Sequence, residues 1–312
     1  MTISRVTVAI CTWNRAPLLA QTLEEFTKLS APASVEWELL VVNNNCTDAT
    51  DQVIADYERR LPIRRLFEAQ PGLSNARNRA VAEASGSHII WTDDDVLVAT
   101  DWLDAYCRAF DKWPDAVVFG GPIAPWFPAT PPQWLMAAWP RVAKAFAVLD
   151  YGSDVLPLSA LQLPFGANMA IRTDVQRRLP YDPARGVRPG GRMGGEETAV
   201  FEAALSDGAS GWWVPNARVR HYIPPERQSP AYLERYYFAY GEYIARYGEF
   251  NAGVMLLGRP RWLWRHAARA VLRFAVSRRL RPPAVWIEDL IVASTARGSL
   301  HGYKLRASQA AR

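Results

Sequence analysis

Short apolar runs, each stopping at a polar cluster, alternate with stretches of helical spacing through the amino-terminal part of the chain. Val6-Thr7-Val8-Ala9-Ile10-Cys11-Thr12 reads as a buried strand. Leu18, Leu19, Thr22, Leu23, Phe26 and Leu29 then recur at helical spacing, with Pro17 near the first turn. Trp37 to Val42 forms a second apolar run and ends in Asn43-Asn44-Asn45, and helix-like sequence follows from Ala49 to Arg60. A short strand over Ile63 to Glu68 leads through Pro71-Gly72-Leu73-Ser74 to a helix from Asn75 to Glu83. The next run, His88-Ile89-Ile90-Trp91-Thr92, stops in Asp93-Asp94-Asp95. Strands alternating with helices predict an α/β fold with a mainly parallel sheet and helices on both faces.

The three aspartates carry the chemistry most plainly. A strand that ends in carboxylates places them at the carboxyl edge of the sheet, where α/β proteins bind ligands. Carboxylates so close repel one another unless a cation lies among them. Hard oxygen donors suit magnesium or manganese, which bridge to phosphates. An isolated acidic triplet would read as a solvated turn; here the flanking pattern favours a site.

The middle of the chain changes character. Pro122 to Pro164 is rich in Pro and Trp and predicts a long loop with short helices, either a binding element or an irregular packing segment. Strand character returns at Gly166 to Arg172. Gly190 to Gly195 forms a glycine-rich loop, Glu196-Glu197 opens a helix to about Leu205, and Trp212 to His221 reads as a last strand-like segment.

With 312 residues, the chain suits one large domain with an appendage. It holds no apolar stretch of membrane-spanning length, and its amino terminus lacks the pattern of a signal peptide. Three scattered cysteines, Cys11, Cys46 and Cys107, have no metal-ligand spacing and predict reduced thiols in a cytoplasmic protein. The net charge of +5 is uneven: Gly258 to Arg312 holds 12 Lys+Arg against 2 Asp+Glu, a balance of +10, and the remainder holds 24 against 29, a balance of −5. That distribution argues against a nucleic-acid enzyme, whose basic patch would lie along the active groove. In the tail Arg261, Arg265, Arg269 and Arg273 recur every four residues, with Trp264, Ala267, Ala268, Val271, Leu272 and Phe274 on another face. Such a helix suits either an anionic membrane surface or packing on the rest of the protein.

Taken in order, Cys11-Thr12-Trp13-Asn14-Arg15, Val41 to Asp48, Gly72-Leu73-Ser74-Asn75-Ala76-Arg77-Asn78, Thr92 to Asp95, Gly166-Ala167-Asn168-Met169, Gly194-Gly195-Glu196-Glu197 and His221 resemble the motifs of the family 2 glycosyltransferases of GT-A fold. The resemblance implies a catalytic domain over 1–257, with a nucleotide-sugar half to about 120 and an acceptor half beyond it, and a basic helical tail over 258–312. It implies that Thr12, Asn14, Arg15, Asn43, Asn45, Arg77, Asp93 and Asp94 bind the nucleotide sugar. The strand-end acidic cluster corresponds to the family's DXD motif: Asp95 and Asp93, with His221 as a third ligand, would hold manganese or magnesium. The family usually has Asp at position 43; Asn there weakens the case for one particular base, and the resemblance favours uracil over guanine or thymine. The family usually shows Glu-Asp at 196 and 197, the second carboxylate being the general base. Glu197 takes that place, and Glu196 is the alternative.

The implied reaction is inverting transfer of a sugar from a nucleotide donor, UDP-linked by preference, to a lipid-linked or polysaccharide acceptor. The implied location is the cytoplasm, peripheral on the inner face of the membrane. Two rival readings are a sugar nucleotidyltransferase, which should show a Gly-rich phosphate loop after the first strand, and a non-catalytic membrane-associated binding protein on the same fold.

Overall fold

The structure is a computed structural model that describes residues 4–184, 195–206, 208–248 and 253–310. In chain order the strands are β1 (Arg5–Thr12), β2 (Glu36–Asn43), β3 (Ile63–Phe67), β4 (His88–Asp93), β5 (Val96–Val98), β6 (Val118–Gly120), β7 (Ile123–Trp126), β8 (Asn168–Arg172), β9 (Gly211–Trp213), β10 (Val219–Tyr222), β11 (Met255–Leu256) and β12 (Arg259–Pro260). The α-helices are α1 (Ala16–Phe26), α2 (Thr50–Tyr57), α3 (Leu73–Glu83), α4 (Trp102–Lys112), α5 (Gln133–Val142), α6 (Thr173–Arg178), α7 (Glu196–Ser206), α8 (Pro230–Tyr247), α9 (Arg261–Leu280) and α10 (Pro283–Ala310).

By its internal contacts the chain divides into two compact units, residues 1–126 with 147–222, and residues 127–146 with 223–312. The sequence pattern places a boundary at 257/258; the unit holding the tail also takes in α5 and α8.

The first unit is built on a seven-stranded sheet in the order β3-β2-β1-β4-β8-β6-β9. β1 pairs in parallel with β2 and β4, and β2 in parallel with β3. β8 runs antiparallel to both β4 and β6, and β6 is parallel to β9, so the sheet is mainly parallel, as the alternating pattern predicts. The strands read as nearly continuous apolar runs because both faces are covered: Val6, Val8, Ala9 and Ile10 are buried in β1, Leu39 to Val42 in β2, and Ile89 to Trp91 in β4. Leu19, Leu23 and Phe26 of α1 and Trp102, Tyr106 and Phe110 of α4 join them in one core.

Strand order reverses between β1 and β4, since β2 and β3 extend to one side of β1 and β4 lies on the other. The crevice beyond the carboxyl ends at such a reversal is where open α/β sheets bind ligands. The register brings the strand ends level: Thr12 lies opposite Asn43, and Cys11 opposite Asp93.

The segment read as one last strand is two. β9 closes the edge of the large sheet, whereas β10 joins a separate three-stranded sheet, β5-β10-β7. Pro215-Asn216 lies in the break, where proline supplies no N–H to a ladder. Asn168 ties the two sheets together. Its Oδ1 accepts from Trp102 Nε1 and Tyr106 Oη, both at 2.9 Å, and its Nδ2 donates to the carbonyls of Pro122 (3.0 Å) and Ala217 (2.7 Å). Fully buried and fully bonded, this motif residue shapes the fold.

In the second unit the Pro/Trp-rich stretch contributes α5, and α8 packs closely on α10. A Cβ at Gly241 or Gly298 would collide with the facing backbone of Thr295 or Phe238, so both positions require the smallest residue. The tail forms two helices. α9 buries Leu263, Ala267, Ala270 and Ser277, while Val271 and Leu272, expected from spacing on its apolar face, are exposed. The reason is angular: α10 covers the stripe through 263, 267 and 270, and Leu272 lies on the opposite side of the helix. Among the described residues no helix is long and apolar enough to cross a membrane.

Candidate active site

The loop after β1 and the loop after β2 are bonded into one rim. Asn14, at φ 52°, accepts from the Thr47 amide through Oδ1 (2.7 Å). Asp48 accepts from the Ala16 amide (2.9 Å) and from the Thr50 hydroxyl (2.5 Å), so one carboxylate steadies the starts of both α1 and α2. Asn43 is buried, with Nδ2 donating to Asp51 (2.6 Å) and Oδ1 accepting from the Cys46 amide (2.7 Å). Its polar atoms thus shape the β2 turn, and the nearby negative charge comes from Asp51, which also pairs with Arg65. Asn44 donates to the carbonyls of Glu68 and Gln70 and holds the β3–α3 connection. Asn45, at φ 59°, is exposed at the rim, as is Trp13.

The three aspartates separate into different roles in space. Asp93 is half-exposed, whereas Asp94 and Asp95 are buried. Asp94 accepts from Thr12 Oγ1 (2.7 Å) and Arg15 Nη1 (2.9 Å). The same Arg15 nitrogen lies 2.8 Å from Asp95 Oδ2. Asp95 Oδ1 faces His221 Nε2 at 3.4 Å. That meeting depends on the small sheet, in which β10 pairs antiparallel with β5 and sets His221 opposite Val96, immediately after Asp95. Burial drives Asp94 up to about 7 despite the pull of Arg15, and burial together with the Asp95 charge raises Asp93.

Among the described residues no three His, Cys, Asp or Glu side chains converge as a metal site. The donor set nonetheless suits a divalent ion: a carboxylate oxygen and an imidazole nitrogen face each other at 3.4 Å, close to the spacing of two ligands on one ion, and the half-exposed Asp93 carboxylate belongs to the same charged cluster.

On the other side of Asp93 lies a second charged cluster. Arg77 is buried, its Nη1 2.8 Å from Glu196 Oε1 and 3.5 Å from Glu197 Oε2, with its guanidinium over the rings of Tyr181 and Trp91. The sequence places Arg77 toward the nucleotide's phosphates or the aspartate cluster; in the structure its bonded partners are the carboxylates that open α7. A Cβ at Gly166 would strike the Arg77 guanidinium, which explains a glycine in that motif. Glu196 is buried and pushed up to about 8, first by burial and next by the Glu197 charge, against the pull of Arg77. Glu197 is half-buried beside it. The rest of the glycine-rich loop, Gly190 to Gly194, lies outside the described residues. The charges of Arg77 and His221 both favour an ionised Asp93, against burial and the Asp95 charge that raise it. Burial pushes the Cys11 thiol up to about 12, which leaves it a neutral core group.

Removing the Arg77 charge should strand a buried carboxylate. Arg77→Met is expected to lower stability by about 3–5 kcal/mol in urea denaturation, the range for breaking one side of a buried pair, and Arg77→Met with Glu196→Gln to recover much of it. Equal losses in the single and double variants would refute the pairing as the cause.

The sequence pattern did not single out Trp13, Asp48, Asp51 or Tyr181. Trp13 and Asp48 lay inside the quoted motifs without a role of their own, and Asp51 and Tyr181 enter the rim and the Arg77 pocket through tertiary contacts.

Comparison with known proteins gives the following likenesses. Residues 7–141 match the domain Glycosyl transferase family 2. The chain is 25% identical over 242 residues to the succinoglycan biosynthesis protein ExoM of Rhizobium meliloti, covering 76% of this chain and 73% of that protein. Its fold is similar to that of S. aureus TarS 1–349 in complex with UDP (TM-score 0.55, 15% identity, 95% of this chain and 91% of that one). It is also similar to the mannosyltransferase PcManGT from Pyrobaculum calidifontis in complex with GDP-Man and Mn2+ (TM-score 0.56, 19% identity, 94% and 86%). Residues 7–141 thus match the family 2 glycosyltransferase domain, the fold is of the GT-A type, and glycosyl transfer is the chemistry these likenesses support.

Proposed function

We propose that the chain transfers a sugar, with inversion, from a UDP-linked donor to a hydroxyl of a polysaccharide or lipid-linked precursor. The observation that carries this reading is the gathering of charged side chains near the strand ends at the β1/β4 reversal. It sets Arg15, Asp95 and His221 on one side and Glu197 on the other, with Asp93 between them. The likeness to ExoM supports a polysaccharide precursor, and the UDP and GDP-Man complexes of TarS and PcManGT support a nucleotide-sugar donor.

The rim of Trp13, Asn14 and Asn45 offers aromatic and amide groups to base and ribose, with Thr12 beneath it holding Asp94. Asp93, the open carboxylate of the cluster, orients sugar or ribose hydroxyls. Arg15, part-exposed between Asp94 and Asp95, presents its remaining N–H groups to the diphosphate. Asp95 and His221, with Asp93, would hold a manganese or magnesium ion, which supplies charge neutralisation for the departing diphosphate. Glu197 accepts the proton of the acceptor hydroxyl as its oxygen bonds to the anomeric carbon and the bond to the diphosphate oxygen breaks. Glu196, held by Arg77, positions the helix start from which Glu197 projects. The acceptor reading places the enzyme at the cytoplasmic face of the membrane as a peripheral protein.

A thermal-shift screen of nucleotides and nucleotide sugars with manganese tests the donor. A ligand at 100 times its Kd adds about 2.7 kcal/mol to native stability, which raises Tm by several degrees. UDP and one UDP-sugar should give the largest shifts. Equal shifts from all nucleotides, or none, would remove the uridine assignment.

A further inference from the structure

The second unit exposes apolar side chains at two neighbouring places. β11 and β12 form a hairpin whose register, Met255 opposite Pro260 and Leu256 opposite Arg259, leaves Leu257-Gly258 as a two-residue turn. Both turn residues have positive φ, 52° and 71°. Such turns favour Asn, Asp or Gly at the first position, where a bulky side chain is strained. Here the first position is Leu257, 78% exposed, and it follows the exposed residues Val254, Met255 and Leu256. Four consecutive exposed apolar residues thus stand on a turn whose first position is strained.

The hairpin is bonded to the first turn of α9, through the Arg261 amide to the Val254 carbonyl (2.8 Å) and Trp264 Nε1 to the Leu256 carbonyl (3.1 Å). Along α9, Trp262, Arg265, Arg269, Leu272, Val276 and Leu280 fall on one face by their spacing of three and four residues, and all are exposed. α9 carries six arginines and no acidic residue. Asp289 of α10 engages Arg273 at 2.6 Å.

We infer that the hairpin tip Val254–Leu257 and the outer face of α9 form a docking surface for an anionic lipid bilayer, with the tip entering the acyl boundary and the arginines meeting the headgroups. The occupant follows from the mixture of side chains. Arginine interleaved with Trp, Leu and Val suits an interface that is apolar below and anionic above. A nucleic acid would leave the exposed leucines without a partner, and a second copy of α9 would set arginines against arginines. Each basic side chain near such a surface adds roughly fivefold to affinity at low salt. The inference deepens the membrane-proximal reading above and rests on it only for its purpose.

Co-sedimentation of the full chain with vesicles of phosphatidylcholine, with or without phosphatidylglycerol, tests it in the absence of donor and acceptor. A failure is therefore separate from failure of the sugar-transfer reading. Wild type should bind the anionic vesicles, bind the neutral ones about tenfold more weakly or less, and be released at high salt. Leu256→Glu with Leu257→Glu, and separately Arg265→Glu with Arg269→Glu and Arg279→Glu, should each weaken binding at least about tenfold with Tm and the UDP-induced shift unchanged. Leu257→Ser, at the most exposed position of the hairpin, keeps the test open should the double hairpin variant fail to fold. Equal binding to both vesicles, binding to neither, wild-type binding by the hairpin variants, or a lipid-free dimer abolished by the same substitutions would overturn the inference.

Discussion

Replacing Glu197 by Gln is expected to leave UDP-sugar affinity within about twofold while lowering kcat by roughly two orders of magnitude or more, the loss typical of a missing general base. The substitution keeps the shape of the side chain and removes its ability to take a proton. Geometry separates Glu197 from its neighbour. Glu196 is buried, and one of its oxygens is committed to Arg77 at 2.8 Å, whereas Glu197 is half-buried and 3.5 Å from the same nitrogen. A carboxylate committed to a buried guanidinium reaches an incoming hydroxyl poorly. Glu196→Gln should therefore act mainly on stability, through the partner it leaves behind, and lower kcat less than Glu197→Gln does. Single-turnover rates for both variants, with UDP affinity measured by calorimetry, give the comparison. A greater rate loss in a folded Glu196→Gln protein would move the base by one residue.

Asp95→Ala is expected to abolish the gain in UDP affinity that manganese provides. In the wild type that gain should be at least about tenfold, since a divalent ion joins protein carboxylates to diphosphate oxygens. In the variant it should fall below about twofold. Asp95 is chosen because its two oxygens face Arg15 and His221, the part of the cluster where anionic and imidazole donors meet. Asp94→Asn is the contrasting substitution: Asp94 is spent on Thr12 and Arg15, so the variant should retain most of the manganese-dependent gain. Calorimetric titration of UDP with and without manganese reads both. If Asp95→Ala keeps the full gain, Asp95 is not a ligand.

How much of this was legible in the sequence follows from the range of the interactions involved. The order of strands and helices was legible as far as β4, because periodicity is local and both-face burial makes parallel strands nearly continuous apolar runs, whereas α4, the short strands β5 to β7, α6 and α8 were not read. The gathering of Thr12, Asn43 and Asp93 at one edge was legible too. Parallel strands share a carboxyl edge, and each of these residues ends an apolar run. The acidic cluster, the paired glutamates at a helix start and the basic tail needed only composition and spacing.

What the sequence left open was decided by pairings across long separations and by the direction in which side chains pack. His221 meets Asp95 only because β10 leaves the large sheet and pairs with β5, a choice of partner that period-two alternation cannot express. Arg77 lies on a helix whose pattern permits either a solvent or a crevice position; Tyr181, Trp91 and Glu196 draw it inward. Asn43 could have faced a base until Asp51 and the Cys46 amide engaged its amide group. The two faces of α9 were assigned by which stripe α10 covers, so Leu272 became surface and Ala270 core. Local sequence sets where elements begin and what each strand end carries. Which of those ends share a site is a property of the assembled sheets, because only there are the competing partners present.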